Sequence, residues 1–354
     1  MNEWLRQTLA DGPPLQRSRH LVNRNGVDTS MRETFRLLHA TLPEASKVVW
    51  RKIARKILDL RLSLSGASEA DRLRAERRLR GYQHFTRLRR ADVAVVSYGK
   101  SGRTWLRVLL SRLYQQVHDL PEDTLISFDN FHNMDARIPR IFFTHDNYIG
   151  DYTGNTDSKV DFYDKTVLLL MRDPRDVAVS QFFQWRYRMR PGKKALNDYL
   201  PDGDESPIFD FVMHEGGGLP KVIAFMNLWA REMSKVRALE LLRYEDMRAD
   251  AQAAMTRVAR FLDIPATEEQ IRDAVEFASY ENMKKKEAEN AFRLSGGRMA
   301  PRDQGNPDSY KVRRAKVGGY RDYFDDEQIA AIDAMVADRL DPVYGYGPGV
   351  PNIE

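Results

Sequence analysis

The stretch VAVVSYGKSGRTWLRVLLSRLY, from Val93 to Tyr114, decides the predicted fold. It begins with a continuous apolar run, which is typical of a buried parallel strand, and passes through a turn into an amphipathic helix. A turn of this kind binds anions, because its backbone N–H groups converge and the helix N-terminus adds partial positive charge. Lys100 and Arg103 add two full charges to the turn.

The rest of the chain repeats this strand–helix pattern. Further strands are predicted in RIFFTHDN, KTVLLLMRDPRD and ALELLRYEDMRAD, and the last two are followed by helices. The alternation predicts an α/β fold of three layers, P-loop-like, with a central parallel sheet flanked by helices. A long polar loop is predicted from Lys284 to Val317, and a final amphipathic helix in DEQIAAIDAMVADRL.

Residues 1–90 are predicted to form a basic helical extension to a domain at residues 91–354. Three helices are expected there, in SMRETFRLLHATL, SKVVWRKIARKILDLRLSL and SEADRLRAERRLRGYQHFTRL, the third ending near Gly81. The extension holds 20 Lys and Arg against 9 Asp and Glu, while the remainder holds 36 against 42. This charge suggests an anionic partner, such as membrane lipid or polysaccharide, although a solvated helical face accounts for it equally well.

Composition excludes several classes of protein. The chain contains no cysteine, so it has no disulfide, no zinc–thiolate site and no cysteine nucleophile. Its apolar runs are far shorter than the roughly 20 residues that cross a bilayer, and no secretory signal is visible at its start, which favours the cytoplasm. The basic residues lack interleaved aromatics, so no nucleic-acid partner is expected.

The turn at Gly99 fails the test for a nucleotide-triphosphate loop. Gly99, Lys100 and Ser101 match the end of the pattern G-x-x-x-x-G-K-[ST], but Ala94 occupies the position of the first glycine. Arg172, rather than a Mg²⁺-binding aspartate, follows the apolar run VLLLM. A kinase or NTPase acting on a small molecule therefore stays only as the alternative function.

Four motifs resemble those of the cytosolic-type sulfotransferases. YGKSGRTWL resembles their 5′-phosphosulfate loop, and RDPRDVAVS resembles their 3′-phosphate segment. YEDM with the later ASYENMKKKE is similar to their adenosine-binding stretch, and KVRRAKVGGYRDYF to their closing motif. The motifs occur in the family's order. The resemblance implies a sulfotransferase that uses 3′-phosphoadenosine 5′-phosphosulfate (PAPS) as its donor and leaves the desulfated product PAP.

The resemblance also implies which residues bind the donor. One set would hold the 5′-phosphosulfate: Lys100, Ser101, Gly102, Arg103 and Thr104. A second set would hold the 3′-phosphate: Arg172, Ser180, Arg313 and Arg314. A third set would surround the adenosine: Trp105, Tyr244, Ser279 and Tyr280. Two separate basic ends suit a donor that carries phosphate at both ends, and arginine binds phosphate through two hydrogen bonds at once.

The catalytic assignments follow from the same resemblance. His145 would be the general base for in-line transfer, with Asp146 as the nearest rival, and Lys100 would stabilise charge on the leaving phosphate oxygen; no metal is required. The chain departs from the family at three positions, where Gly99 replaces a proline, Arg103 a threonine and Phe143 a lysine. Arg103 is a candidate to compensate for the lysine that Phe143 replaces.

The acceptor is the least specified partner. Most of its pocket is expected from the region after Ser180, where four aromatics are candidates to line an apolar cleft: Phe182, Phe183, Trp185 and Tyr187. The basic extension favours a lipid- or carbohydrate-linked hydroxyl over a soluble phenol and suggests peripheral contact with the inner face of the membrane. Homo-oligomerisation is left open.

Overall fold

The computed structural model describes residues 66–289, 305, 308, 310 and 314–347. All of them belong to a unit that extends from Leu58 to Glu354. The first two predicted N-terminal helices lie outside the described residues, as does Arg313 of the closing motif. The boundary at residue 90 stays a prediction.

The described residues form a four-stranded, entirely parallel sheet. The strands are β1 (Val93–Ser97), β2 (Ile141–Thr144), β3 (Thr166–Met171) and β4 (Ala238–Arg243), in the spatial order β2-β1-β3-β4. Val93 of β1 pairs with Ile141 on one side and Thr166 on the other. The carboxyl ends of the strands therefore meet at one edge, which is where open α/β sheets bind ligands.

Helices connect and cover the strands. In chain order they are α1 (Glu69–Arg90), α2 (Arg103–His118), α3 (Asn130–Met134), α4 (Ile149–Thr153), α5 (Pro174–Tyr187), α6 (Pro191–Leu196), α7 (Ile208–Met213), α8 (Leu219–Glu232), α9 (Tyr244–Ala249), α10 (Ala251–Phe261), α11 (Glu268–Phe277), α12 (Tyr280–Ala288) and α13 (Asp326–Arg339). Single 3₁₀ turns lie at Val160–Phe162, Met233–Lys235, Gly319–Tyr323 and Pro342–Tyr344. None of the helices in this part of the chain has the length and apolarity needed to span a bilayer.

Alternate residues of the strands face opposite layers. Val95 and Leu168 belong to the core on the side of α2, α10 and α11. Ala94 and Leu169 belong to the core on the other side, where Trp229 of α8 also packs. Because both faces of the sheet are covered at its centre, the central strands β1 and β3 are nearly continuous apolar runs. The prediction of a three-layer α/β fold is confirmed.

The third predicted helix is longer than the sequence indicated. Helix α1 starts at Ser68, whose hydroxyl accepts a hydrogen bond from the Asp71 N–H, and it continues through Gly81 to Arg90. The prediction that it ends near Gly81 is wrong, because this glycine serves close packing rather than termination. A Cβ at Gly81 would lie 2.2 Å from the Tyr148 carbonyl oxygen, so α1 could not approach α4 with a larger residue there.

In the closing part of the chain, the predicted final helix is confirmed, but the predicted start of the preceding loop is wrong. Helix α13 occupies the predicted final helix, and Asp325 and Gln328 form a capping box at its start. The predicted loop from Lys284 begins too early, because α12 includes residues up to Ala288, with Ser279 as its N-cap. The Ser279 cap and the two buried positions Met283 and Glu287 therefore stabilise a helix in a segment of polar composition.

Candidate active site

A cavity of about 930 Å³ opens at the carboxyl edge of the sheet. Its walls come from the segments that directly follow all four strands, together with α5, α6, α8 and the closing segment around Tyr320. Among the described residues that line it, eleven are Lys or Arg and four are Asp. A cavity with this excess of basic side chains is suited to an anionic ligand.

The turn after β1 depends on backbone conformations that restrict its sequence. Lys100 and Gly102 have φ angles of 74° and 94°, both in the left-handed region. For Gly102 the space is limited as well, since an added Cβ would lie 2.6 Å from Cδ2 of Tyr244. Helix α2 begins at the next residue, Arg103, so the turn directs backbone N–H groups and a helix N-terminus into the cavity.

Arg172, the first residue after β3, links three parts of the cavity wall. Its guanidinium donates to the Lys100 carbonyl at 3.4 Å and to the Lys316 carbonyl at 3.1 Å, and it pairs with Asp176 at 3.2 Å. It also lies over the Tyr244 ring, 4.4 Å from the ring centroid. Arg172 is therefore a cation fixed between the turn and the closing segment.

Asp176 is a residue that sequence reasoning did not select. Its carboxylate accepts hydrogen bonds from the backbone N–H groups of Gly318, at 3.0 Å, and Tyr320, at 2.9 Å. Burial raises its pKa, and the nearby Arg172 opposes that rise. Asp176 therefore fixes the closing segment beside the predicted 3′-phosphate site. The available signal was its place in the motif RDPRDVAVS, where it is the second aspartate.

The predicted adenosine residues meet in one aromatic wall. Trp105 and Tyr244 are in edge contact, with ring centroids 5.8 Å apart. The Trp105 indole N–H donates to the Ala278 carbonyl at 2.8 Å, which brings Tyr280 to the same wall of the cavity. Ser279 does not line the cavity, and its hydroxyl instead accepts from the Asn282 N–H as the cap of α12.

His145 follows β2 and has a defined tautomer. Its Nδ1 lies 2.8 Å from the Ser97 carbonyl oxygen, so Nδ1 carries the proton and donates it there. Nε2 is then an acceptor, and Nη2 of Arg103 lies 2.5 Å from it. Burial lowers the pKa of His145 well below its ordinary value, and the positive charges of Arg103 and Lys193 lower it further. The imidazole is therefore neutral at physiological pH, as a general base must be.

The rival base, Asp146, is occupied by another partner. It forms an ion pair of 2.7 Å with Lys159, and the side chains of both are more than nine-tenths buried. Its φ angle of 53° places a strained residue directly after His145.

Phe143, which stands where the family has a lysine, is in contact with a cation. The Arg107 guanidinium lies 3.6 Å from its ring centroid. The structure thus places a cation, Arg107 of α2, beside Phe143.

The remaining predicted residues divide into those that line the cavity and those that do not. Thr104, Ser180 and Arg314 line it together with Lys100. Ser101 is buried and is not part of the wall, and Arg313 is not among the described residues. The four aromatics predicted for the acceptor cleft lie outside the wall. Phe182, Phe183 and Trp185 are buried in the core between α5, α7 and α13, because they lie on the inner face of α5.

A family model for the sulfotransferase domain matches residues 90–343, which is most of the chain. The chain belongs to the sulfotransferase family. The prediction of a cytosolic-type sulfotransferase is thereby confirmed at the level of the family and of the enzyme class, and the kinase alternative is not supported.

Sulfotransferases from plants and mammals align with most of this chain. Cytosolic sulfotransferase 15 of Arabidopsis thaliana is 25% identical over 286 residues, covering 73% of this chain and 74% of the relative. The flavonol 4′-sulfotransferase of Flaveria chlorifolia is 24% identical and covers 73% and 82%. The amine sulfotransferase of Oryctolagus cuniculus is 21% identical and covers 72% and 82%. Two of these names specify an acceptor, a flavonol and an amine, and the third name specifies none.

Solved structures of the same class also align. A mouse sulfotransferase crystallised with PAP, SULT7A1, superimposes with a TM-score of 0.48 at 18% identity, covering 73% of this chain and 89% of that one. A retinol dehydratase crystallised with retinol and PAP gives a TM-score of 0.47 at 21% identity, covering 70% and 80%.

Proposed function

We propose that this sulfotransferase moves a sulfuryl group from PAPS to an acceptor hydroxyl, with His145 as the general base. The observation that carries the proposal is the arrangement of one cavity. The turn after β1 and Arg172 after β3 lie at the same sheet edge, and His145 Nε2 lies beside Arg103 of that turn.

The two basic ends match the two anionic ends of PAPS. The turn from Lys100 to Thr104 and the start of α2 would hold the 5′-phosphosulfate. Arg172, Ser180 and Arg314 would hold the 3′-phosphate, with Asp176 fixing the closing segment that contributes Arg314. The aromatic wall of Trp105 and Tyr244 would enclose the adenine. Two relatives of known structure were crystallised with PAP, which is the product of such a donor.

The reaction would be a single in-line displacement at sulfur. The acceptor oxygen forms a bond to sulfur as the bond between sulfur and the 5′-phosphate oxygen breaks, and the electron pair of that bond leaves with PAP. His145 Nε2 takes the proton of the acceptor hydroxyl. Lys100 and the helix N-terminus would offset the charge that grows on the leaving oxygen.

Arg103 has two roles that compete in this scheme. In the structure it donates to Nε2 of His145, which occupies the lone pair that must receive the proton. A bound phosphosulfate is a stronger acceptor for a guanidinium than a neutral imidazole. We infer that the donor draws Arg103 away from His145, so that the base is released when the sulfuryl group is present.

This role of Arg103 is tested by Arg103→Thr, which introduces the family's residue. Turnover should fall far more than donor affinity, because the guanidinium acts at the sulfuryl group and the base rather than in ground-state binding alone. Affinity is measured by calorimetric titration with PAP, and turnover with a saturating donor. Unchanged turnover would refute the role. Arg257→Gln, in an exposed ion pair with Glu240 outside the cavity, is the matched control.

The donor assignment is tested by thermal shift. PAP should stabilise the protein at micromolar concentrations through the RT ln(1 + [L]/Kd) relation, whereas Mg-ATP should not. The reverse order would favour a nucleotide-triphosphate enzyme.

The acceptor class is tested by a labelling experiment. Labelled PAPS is incubated with cell extracts and with the protein, and the labelled product is partitioned between butanol and water. A lipid-linked acceptor carries label into butanol, and a carbohydrate-linked acceptor leaves it in water.

We also propose that the enzyme is cytoplasmic, as the plant relatives named cytosolic sulfotransferases are. Its N-terminal 90 residues, with their excess of basic residues, would bring it to an anionic membrane surface. Co-sedimentation with phosphatidylglycerol vesicles, and not with phosphatidylcholine vesicles, is the expected result. Equal sedimentation with both would argue against electrostatic docking.

A further inference from the structure

The part of the cavity wall formed by α6 and α8 also carries basic residues. Lys193 lies on α6, Arg190 directly precedes α6, and Lys221 lies on α8, and all three line the cavity. None of them belongs to the four motifs that define the donor site. The question is which of these charges the protein neutralises itself.

Several cavity-lining cations on this side already have partners. Arg77 of α1 pairs with Asp198, and Arg188 pairs with Glu287 at 3.8 Å. Lys221 donates to the carbonyl oxygens of Asn197 and Gly216, the latter at 2.9 Å. Arg77 and Lys221 therefore join α1 and α8 to the end of α6, and Arg188 joins the end of α5 to α12.

Lys193 and Arg190 differ from this pattern. Neither side chain makes a hydrogen bond or an ion pair with any residue of the described ranges. Desolvation lowers the pKa of Lys193, and the positive charges of Arg80 and Arg103 lower it further. Repulsion from like charges disfavours the charged form of Lys193 in the unliganded site. An anionic ligand would remove that repulsion.

The acidic lining residues do not provide the counter-ion. Asp146, Asp176 and Asp198 are paired with Lys159, Arg172 and Arg77. The fourth, Asp151 on α4, interacts with Arg77, whose charge opposes the rise that burial causes in the pKa of Asp151. Lys193 therefore retains an uncompensated charge close enough to His145 to lower the pKa of the base.

We propose that the acceptor carries a negative charge of its own, as a carboxylate, phosphate or sulfate group, which Lys193 and Arg190 bind while its hydroxyl faces His145. This rests on the proposed function. The two cations would act as specificity residues: they orient the acceptor and do not take part in proton transfer. A neutral acceptor would leave them unpaired beside Arg103, so it would bind more weakly.

The test is calorimetric titration of the full chain, first saturated with PAP, with two probes of the same size. These are 4-nitrophenyl β-glucuronide, which is anionic, and 4-nitrophenyl β-glucoside, which is neutral. The glucuronide should bind at least about tenfold more tightly, since a hydrogen bond to a charged group contributes about 1.5 kcal/mol or more. Lys193→Gln and Arg190→Gln should each remove most of that preference, and Lys284→Gln, an exposed lysine outside the cavity wall, should leave it unchanged.

Equal affinity for the two probes, or no binding of either, overturns the inference. If Lys193→Gln weakens PAP binding instead, the residue serves the donor and the inference is also wrong. Failure of the wild-type chain to bind PAP in the first step contradicts the proposed function itself, so the two failures are distinct. Competition against the glucuronide by phosphatidylglycerol micelles, with none by phosphatidylcholine micelles, would assign the charge to a lipid headgroup.

Discussion

The donor side and the acceptor side of this cavity are built in different ways. On the donor side, the functional residues are tied to one another: Arg172 contacts Lys100, Asp176 and Lys316, and Trp105 contacts Tyr244. On the acceptor side, Lys193 and Arg190 have no partner among the described residues. The first arrangement is organised before the ligand arrives, whereas the second leaves charge for the ligand to neutralise.

This difference has a physical basis. PAPS is a large ligand with fixed charges, so a pre-organised site lowers the entropy that must be lost on binding. An acceptor site that varies among family members need only position one hydroxyl beside the base. The relatives named here as flavonol and amine sulfotransferases illustrate such variation.

The largest effect on the transfer rate is expected at His145, where the donor side and the acceptor side meet. His145→Ala should lower the transfer rate by about 10²-fold to 10⁴-fold, which is the usual contribution of a positioned acid or base. PAP affinity should stay near the wild-type value, because the imidazole is assigned to the acceptor's proton and not to either phosphate; its nitrogens face Arg103 and the Ser97 carbonyl. The measurement is turnover with labelled PAPS beside calorimetric titration with PAP.

His132→Ala is the control for this change, since His132 lies on α3 and bonds to the Ile138 carbonyl outside the cavity. Loss of PAP binding or of thermal stability in His145→Ala would show that the histidine holds the turn in place rather than acting as the base.

The next prediction separates two effects of a side chain added at Gly102: strain in the backbone and collision with Tyr244. Gly102→Ala should abolish measurable PAP binding, because its Cβ would collide with Tyr244 and displace the aromatic wall. Gly154→Ala is the matched control: its φ is 88°, close to the 94° of Gly102, but an added Cβ meets nothing within 4 Å. Both variants should lose about 1 kcal/mol of stability to backbone strain, Gly102→Ala should lose more because of the collision, and only Gly102→Ala should lose PAP binding. Similar PAP affinities for the two variants would remove the collision argument.

A smaller effect is expected for the link between the 3′-phosphate site and the closing segment. Asp176→Asn should weaken PAP binding by about tenfold, because an amide offers one acceptor oxygen where the carboxylate serves two backbone N–H groups and Arg172. Calorimetric titration measures the loss. Asp273→Asn, on the partly exposed ion pair of α11 with Arg112, should bind PAP as the wild type does. A wild-type affinity for Asp176→Asn would show that the closing segment is held by other contacts.

The smallest effect is a displacement of the pH profile. The folded protein lowers the pKa of His145, so the wild-type rate should fall only at pH values well below 6.5, when the base becomes protonated. Arg103→Thr removes one of the positive charges responsible, which raises the pKa of His145 toward its ordinary value. The acidic limb of the kcat/KM profile, which reports the free enzyme, should therefore move to higher pH. A limb that stays in place would indicate that burial alone sets the pKa.

The sequence was most informative where geometry is local. The turn after β1 and the segment after β3 each lie within one strand–turn–helix unit, so their residue patterns predicted where an anion would bind. Helix length was less predictable at Gly81, because the packing of α1 on α4 comes from residues far along the chain. The aromatics after Ser180 were misplaced for the same reason: a pattern of aromatic residues does not say which face of α5 is covered.

The sequence by itself determined the family and the α/β class and singled out the candidate donor-side residues, since each depends on short segments with their own backbone geometry. Only the tertiary structure brought Arg103 to His145, 42 positions later in the chain, and showed that Asp146 is already paired with Lys159. It alone placed Lys193 and Arg103 on the wall of one cavity. Contacts of this kind depend on how α1, α2 and α6 pack around the sheet edge, and no local pattern of residues encodes the distance between them.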